Sequence, residues 1–278
     1  YYPAPRWENR LGNMQRALNW WLENPTWGER DTLSWVNTST EPVFDYFMMA
    51  GPEPFVESGM ARTMMSALEI LWSGRAAEES NRMQTINLMH KASYLLKDGR
   101  YAHMARAAGY DFDRFRIGQS WWPDPDLDVS PPTDRVGRIS VMQIAPLLAE
   151  QAGAPFDARL GYQFLSYRTG VGPEDGYFLL DGFNYSGRHP HHVSALKTLR
   201  HGSFELLEGY GNQVIILRNG MTENHVAKTA RLDATATIEG MAYVRSSVPD
   251  ASHAAWVRDI LWVDDAYTLV ADTVTVRD

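Results

Sequence analysis

The chain contains no cysteine among its 278 residues. That absence removes disulfides, thiolate metal sites and cysteine nucleophiles together, and it leaves the compartment open, because many exported proteins also do without the residue. No apolar run approaches the roughly 20 residues that cross a bilayer, so no spanning helix is expected. Positive charge is in deficit. The 26 Lys and Arg against 34 Asp and Glu leave a formal charge of -8, which repels a polyphosphate backbone and argues against nucleic acid as a partner. Also missing are a GxSxG elbow, an HExxH helix, a Gly-rich phosphate loop and a dinucleotide fingerprint. Serine hydrolase, zincin, nucleotide and NAD chemistry therefore find no support. The opening Tyr1-Tyr2-Pro3-Ala4-Pro5 has no Met and no charged-then-apolar leader, and reads as a processed or cut chain.

What is present points to a packed globular chain. Hydrophobic residues make up 44%, charged residues 22% and aromatics 12%, with 10 Trp and 13 Tyr, a balance that excludes intrinsic disorder. At roughly 150 residues per domain, the length allows one large domain or two modest ones.

The hydrophobic period changes along the chain. From about Arg10 to Gly109 it is helical, most clearly over Ser58 to Trp72, where Met60, Met64, Ala67, Leu68 and Leu71 form one stripe. A second helix is expected over Ala76 to Leu96, apolar on nearly every side and so buried between neighbours, with Gly99 as its stop. A shorter one is expected from Tyr101 to Ala108, ending at Gly109. Between Asp111 and Pro155, Trp121-Trp122-Pro123 and Ser130-Pro131-Pro132 read as an irregular connector. From Gly161 onward period-two runs dominate: Tyr162 to Tyr167, Tyr177 to Leu180, Val193 to Leu199, Phe204 to Leu207, Gln213 to Leu217, Thr235 to Val244, Ala255 to Val263 and Tyr267 to Val276. Strands with short turns and no intervening helices form antiparallel sheets. The expected class is α+β: an all-α domain over 1–110, a Trp/Pro-rich connector over 111–158 and an antiparallel β-sandwich over 159–278.

Three clusters could carry chemistry. Asn87, His90 and Tyr94, spaced i, i+3, i+7, place an amide, an imidazole and a phenol on one helix face. An Asn/His pair can neutralise a carboxylate while Tyr moves a proton; equally, these can be polar residues of a buried helix satisfied by its neighbours. The loop Asp181 to His192 gathers Asn184, Tyr185, Arg188, His189, His191 and His192 between two strands. Imidazole is the side chain that changes charge near neutrality and also ligates metals. In the third, Arg116, Gln119, Trp121 and Trp122 combine indoles that stack on sugar faces with a guanidinium that grips carboxylate or sulfate. The two Trp fit an interdomain core as well.

The order helical domain, Trp/Pro crossover, sandwich resembles the heparinase II/III-like polysaccharide lyases. Two stretches carry the resemblance. One is Tyr177-Phe178-Leu179-Leu180-Asp181-Gly182 with His191-His192 and the run Leu199 to Gly209. The other is the Arg-bearing hairpin Trp256 to Val263 followed by Tyr267 to Asp272. Together they cover about the last 120 residues, and the helical half matches in texture only.

The resemblance implies an α/α toroid, here incomplete, ahead of the sandwich, secretion or a periplasmic location, and cleavage of uronic-acid glycans by β-elimination without a required cofactor. It places His192 and Arg188 at the uronate with Tyr185 or Tyr94 as base and acid, beside His90 and Asn87. Trp121, Trp122, Arg116, Gln119 and Asn184 would hold the glycan. It also implies a structural zinc in some members, with His191, Glu208 and His225 as ligands, Glu208 standing where the family usually has Asp. The expected partner is an acidic polysaccharide, and exposed edge strands would also permit association with another chain. The alternatives are a noncatalytic glycan-binding or assembly module of the same architecture, and a glycoside hydrolase with two facing carboxylates.

Overall fold

The computed structural model describes residues 4–25, 33–75, 82–109, 127–183, 193–208, 212, 214, 217–218, 221–222, 227–251 and 253–277. Among the described residues six helices come first: α1 (Ala4–Glu23), α2 (Leu33–Ala50), α3 (Glu53–Glu57), α4 (Met60–Leu71), α5 (Arg82–Leu96) and α6 (Arg100–Ala107). The strands and one short helix, α7 (Pro146–Gln151), follow. The chain is thus mixed α+β, with its helices mostly N-terminal and its strands C-terminal.

The stripe expected on α4 is buried as a whole, and so is most of its other side, since Ala61, Met65, Glu69 and Ile70 are buried too. A helix buried all round sits between layers. Here α4 touches α2, α3 and α5 on one side and two strands on the other. Each of its fully buried Met and Leu side chains contributes about 1.5–3 kcal/mol of apolar transfer.

The end of α5 departs from expectation. Its stop is Lys97, in the left-handed region at φ 50°, with the Asp98 amide donating back to Ser93 O, a Schellman closure with Lys in the place glycine usually takes. Gly99 has an ordinary φ of -73° and serves another purpose. A Cβ there would lie 1.9 Å from Asp128 O, so only glycine lets residues 128–129 pass so close.

Among the described residues two large antiparallel sheets and a small ribbon follow the helices. Strands β1 (Ile139–Gln143), β2 (Tyr162–Arg168), β3 (Tyr177–Asp181), β4 (Ala195–His201) and β5 (Phe204–Glu208) pair in that order. Strands β6 (Leu217–Arg218) and β7 (Met221–Thr222) form a small ribbon. Strands β8 (Arg231–Ile238), β9 (Met241–Val248), β10 (Ala254–Val263) and β11 (Tyr267–Val276) form the second sheet.

Two expectations are corrected. The stretch read as connector supplies β1, because Ile139 to Gln143 alternates and pairs along β2. The run Thr235 to Val244, read as one strand, folds back at Glu239-Gly240, where Gly240 takes φ 73° and Ile238 pairs with Met241.

Alternation along β2 and β3 explains why both are buried throughout. Leu165, Tyr167, Phe178 and Leu180 pack with Val244, Trp256, Ile260 and Trp262 of the second sheet. Phe164, Tyr177 and Leu179 pack with the helical core. The five-stranded sheet is therefore the middle of three layers.

Its junction with the helices is polar. The last carbonyls of a helix lack intrahelical partners, and here buried side chains of the sheet supply them. Arg168 donates to Glu69 O and Ile70 O, and the Tyr177 hydroxyl donates to Ile70 O at 2.8 Å. Trp72 Nε1 donates to Val171 O at 3.0 Å, and Arg200 donates to Ser73 O. The buried Glu69 carboxylate accepts from Arg135 Nε at 2.8 Å and lies 3.8 Å from Arg100 Nη1.

Candidate functional site

On α5, Asn87 is half-buried, His90 is 5% exposed and Tyr94 is 37% exposed. The face is thus graded, with the phenol at the surface and the imidazole beneath it. Lys91, next in sequence but on a different side, binds Glu41 at 2.9 Å and Asp45 at 2.5 Å and so ties α5 to α2. That clamp fixes how α5 turns its Asn87–His90–Tyr94 face.

Burial, with the positive Arg106 of α6 adding to it, holds His90 down at a pKa of about 4. The imidazole is therefore neutral near pH 7 and offers a hydrogen-bonding group in place of a charge. Arg106 reaches His90 because α5 and α6 are joined by a short turn and pack side by side. Lys97, just past the end of α5, sets its ammonium 4.6 Å from the centre of the Tyr94 ring. Arg106 and Lys97 were missed at the level of sequence. The signal was available in the short α5–α6 connection, which folds the end of one helix against the middle of the other.

This set of an amide, a neutral imidazole, a phenol, a guanidinium and an ammonium suits an anionic ligand with several hydroxyls. Glu41 and Asp45 bind Lys91, Glu69 binds Arg135, and Asp98 binds Arg62 at 2.9 Å.

The other expected residues are distributed as follows. Asn184, Tyr185, Arg188, His191 and His192 lie outside the described residues, as do Arg116, Gln119, Trp121, Trp122 and His225. Glu208 ends β5 opposite Thr198, with its side chain outside the described residues. Among the described residues no three His, Asp or Glu side chains group as a metal site.

The two stems of the histidine-bearing loop are well defined. Ser194, buried and left-handed at φ 60°, donates its amide to Asp181 O at 2.7 Å, and its hydroxyl lies 3.0 Å from Ser246 Oγ. Ser246 in turn bonds the Tyr162 hydroxyl at 2.8 Å. Buried Arg258 donates to Ser194 O, to Asn212 and to both carboxylate oxygens of Asp272. The Arg-bearing hairpin that carried part of the sequence resemblance thus braces one stem of that loop.

No protein-family model matches the chain, and no curated protein is found similar to it. Among solved structures it is similar to the crystal structure of a heparan sulfate lyase HepC mutant from Pedobacter heparinus, with 12% identity and a TM-score of 0.33. That likeness covers 94% of this chain, which spans 57% of the length of the other. A TM-score so low shows neither fold nor function. No helix among the described residues is long and apolar enough to cross a membrane.

Proposed function

We propose that the chain is a polysaccharide lyase, or the part of one that bears its working face, acting on a uronic-acid glycan by β-elimination. The observation that carries this is on α5, where Lys97 stands 4.6 Å from the ring centre of surface Tyr94 and Arg106 acts on neutral His90, with Asn87 one turn earlier on the same helix. In the elimination, a base takes the proton from C5 and its electron pair forms the C4=C5 bond. The C4–O4 pair leaves with the oxygen, which takes up a proton from an acid. Neutralising the C6 carboxylate acidifies C5–H, and cations and amide donors serve that purpose.

Asn87 and Arg106 are assigned to the carboxylate and Tyr94 to proton transfer, with His90 supporting them from below. His192, Arg188 and Tyr185 are assigned to the same substrate, and Asn184, Arg116, Gln119, Trp121 and Trp122 to holding the chain of sugars. The helical half belongs, in this proposal, to an α/α toroid, and the protein to the secreted or periplasmic space. His191, Glu208 and His225 form a donor set that zinc takes, two imidazoles and a carboxylate, and zinc there would brace the sandwich. Elemental analysis of protein prepared without added metal tests that part.

Mass spectrometry of products made in heavy-oxygen water tests the reaction. Elimination adds no water, so no heavy oxygen enters the products, whereas a glycoside hydrolase incorporates one per cleavage. A noncatalytic glycan-binding or assembly role is the second reading, favoured by the exposed apolar side chains Phe204 and Leu206 of β5.

A further inference from the structure

Along β10 the buried residues Trp256, Arg258, Ile260 and Trp262 point into the sandwich, so Val257, Asp259, Leu261 and Val263 stand on the outer face of the second sheet. Directly paired residues share a face, and the register carries that face across all four strands. Leu261 lies between Tyr243 and Leu269, with Ala236 beyond Tyr243. Val263 lies between Met241 and Tyr267, with Ile238 beyond Met241. These two adjoining rows contain no charged residue. The outer face of an antiparallel sheet is ordinarily polar, yet here Ile238 is 59% exposed, Tyr267 54% and Leu269 55%. A contiguous exposed apolar patch of this kind marks a binding surface.

Polar residues bound the patch at both ends of the strands. In the next row Asp259 accepts from Arg245 Nε at 2.7 Å and Nη2 at 3.1 Å, and from the Tyr243 hydroxyl. The carboxylate cancels the guanidinium and holds the Tyr243 ring in one position, which leaves less side-chain freedom to lose on binding. At the other end, the β8–β9 turn carries exposed Glu239 and the β10–β11 turn carries exposed Asp265. The border is therefore negative on balance.

Area and charge select the occupant. Neighbouring strands lie about 4.8 Å apart and like-facing residues on one strand about 7 Å apart, so the two rows span about 14 Å by 7 Å between Cα atoms, or about 250 Å² with their side chains. A stable protein partner covers about 800 Å² on each side, roughly three times that area. The patch suits a narrower ligand that is apolar on its faces and polar at its rim. We propose that it binds an uncharged glycan, whose sugar rings lay their C–H faces on Tyr243, Leu261, Val263 and Tyr267 and turn their hydroxyls to Arg245, Asp259 and water. Tyr combines an apolar ring with a polar tip and matches such a ligand. The negative border disfavours a uronate chain. This ligand is thus distinct from the one assigned to α5, and the proposal does not depend on the elimination reaction.

Calorimetric titration with three uncharged probes, cellohexaose, xylohexaose and mannohexaose, tests the proposal. At least one is expected to bind. Tyr267→Ala and Leu269→Ala, both at exposed positions, are each expected to weaken that binding about tenfold with melting unchanged. Thr273→Ala, on the same face of β11 but outside the two rows, is expected to bind as the parent does. Hexagalacturonate is expected to show no difference between the parent and Tyr267→Ala. The proposal is overturned if none of the three neutral probes binds, if Tyr267→Ala and Leu269→Ala bind them as the parent does, or if Tyr267→Ala loses hexagalacturonate instead. Sedimentation equilibrium supplies the remaining contrary outcome: a parent dimer that Leu269→Lys dissociates would give the face to a second copy of the chain.

Discussion

The end of α4 and the Asn87–His90–Tyr94 face of α5 gather polar residues on neighbouring helices, and they do so with different electrostatics. At Glu69 opposite charges converge: Arg135 binds the carboxylate, Arg100 stands 3.8 Å away, and Arg168 caps the carbonyl of the same residue. On α5, Arg106 lowers the pKa of His90 and Lys97 stands over Tyr94. The first cluster neutralises itself and locks two layers together. The second is the face we propose for an anionic ligand. Burial and polarity alone therefore do not mark a site; the opposite charges paired at Glu69 make that cluster a joint, unlike the face we propose for binding.

The sharpest way to break that contrast is to remove one hydroxyl. Tyr94→Phe is expected to cut turnover on a uronate glycan at least a hundredfold, the scale of a lost proton-transfer group, while circular dichroism and melting stay as they are. Unchanged turnover would leave Tyr94 as an ordinary surface residue.

Next in size is the pH dependence of His90. Its pKa is about 4 in the fold against 6.5 for the free side chain, so below 6.5 the unfolded chain takes the proton first. Stability is then lost as pH falls from 6.5 toward 4, by no more than about 3 kcal/mol, and is fully present above 6.5. Urea unfolding across that window, compared with His90→Gln, should show the loss in the parent and a flatter profile in the variant.

At the joint the expected effect is on stability alone. Glu69→Gln leaves Arg135 and Arg100 without their buried carboxylate and should cost about 2 kcal/mol, with turnover per folded molecule unchanged. A variant that melts normally but is inactive would move Glu69 into the site and erase the contrast. Smallest is Gly99→Ala, whose methyl meets Asp128 O. It should cost about 1–2 kcal/mol as the backbone shifts, measured as a lower urea midpoint.

Much of the architecture was legible because periodicity reports directly on burial. The α4 stripe, the alternation of β10 and the whole of β11 stand where the period placed them. Turns inside regular runs were not legible. Thr235 to Val244 alternates through Glu239-Gly240, so one strand and a tight hairpin look alike until pairing is known. Strand β1 was hidden by the prolines upstream of it, and Gly99 looked like a helix stop when its necessity comes from a segment almost thirty residues away. For the α5 face, spacing brought out Asn87, His90 and Tyr94. It could not bring out Arg106 or Lys97, whose approach depends on helix packing and on the left-handed turn at residue 97.

The most direct test of the central claim is ultraviolet absorbance of the reaction mixture with a panel of uronic-acid glycans, read alongside the yield of new reducing ends. A lyase at the α5 face produces one conjugated C4=C5 uronate chromophore per reducing end with the parent chain, and at least a hundredfold less of both with Tyr94→Phe. Reducing ends without the chromophore, or chromophore formed as fast by Tyr94→Phe as by the parent, would contradict it.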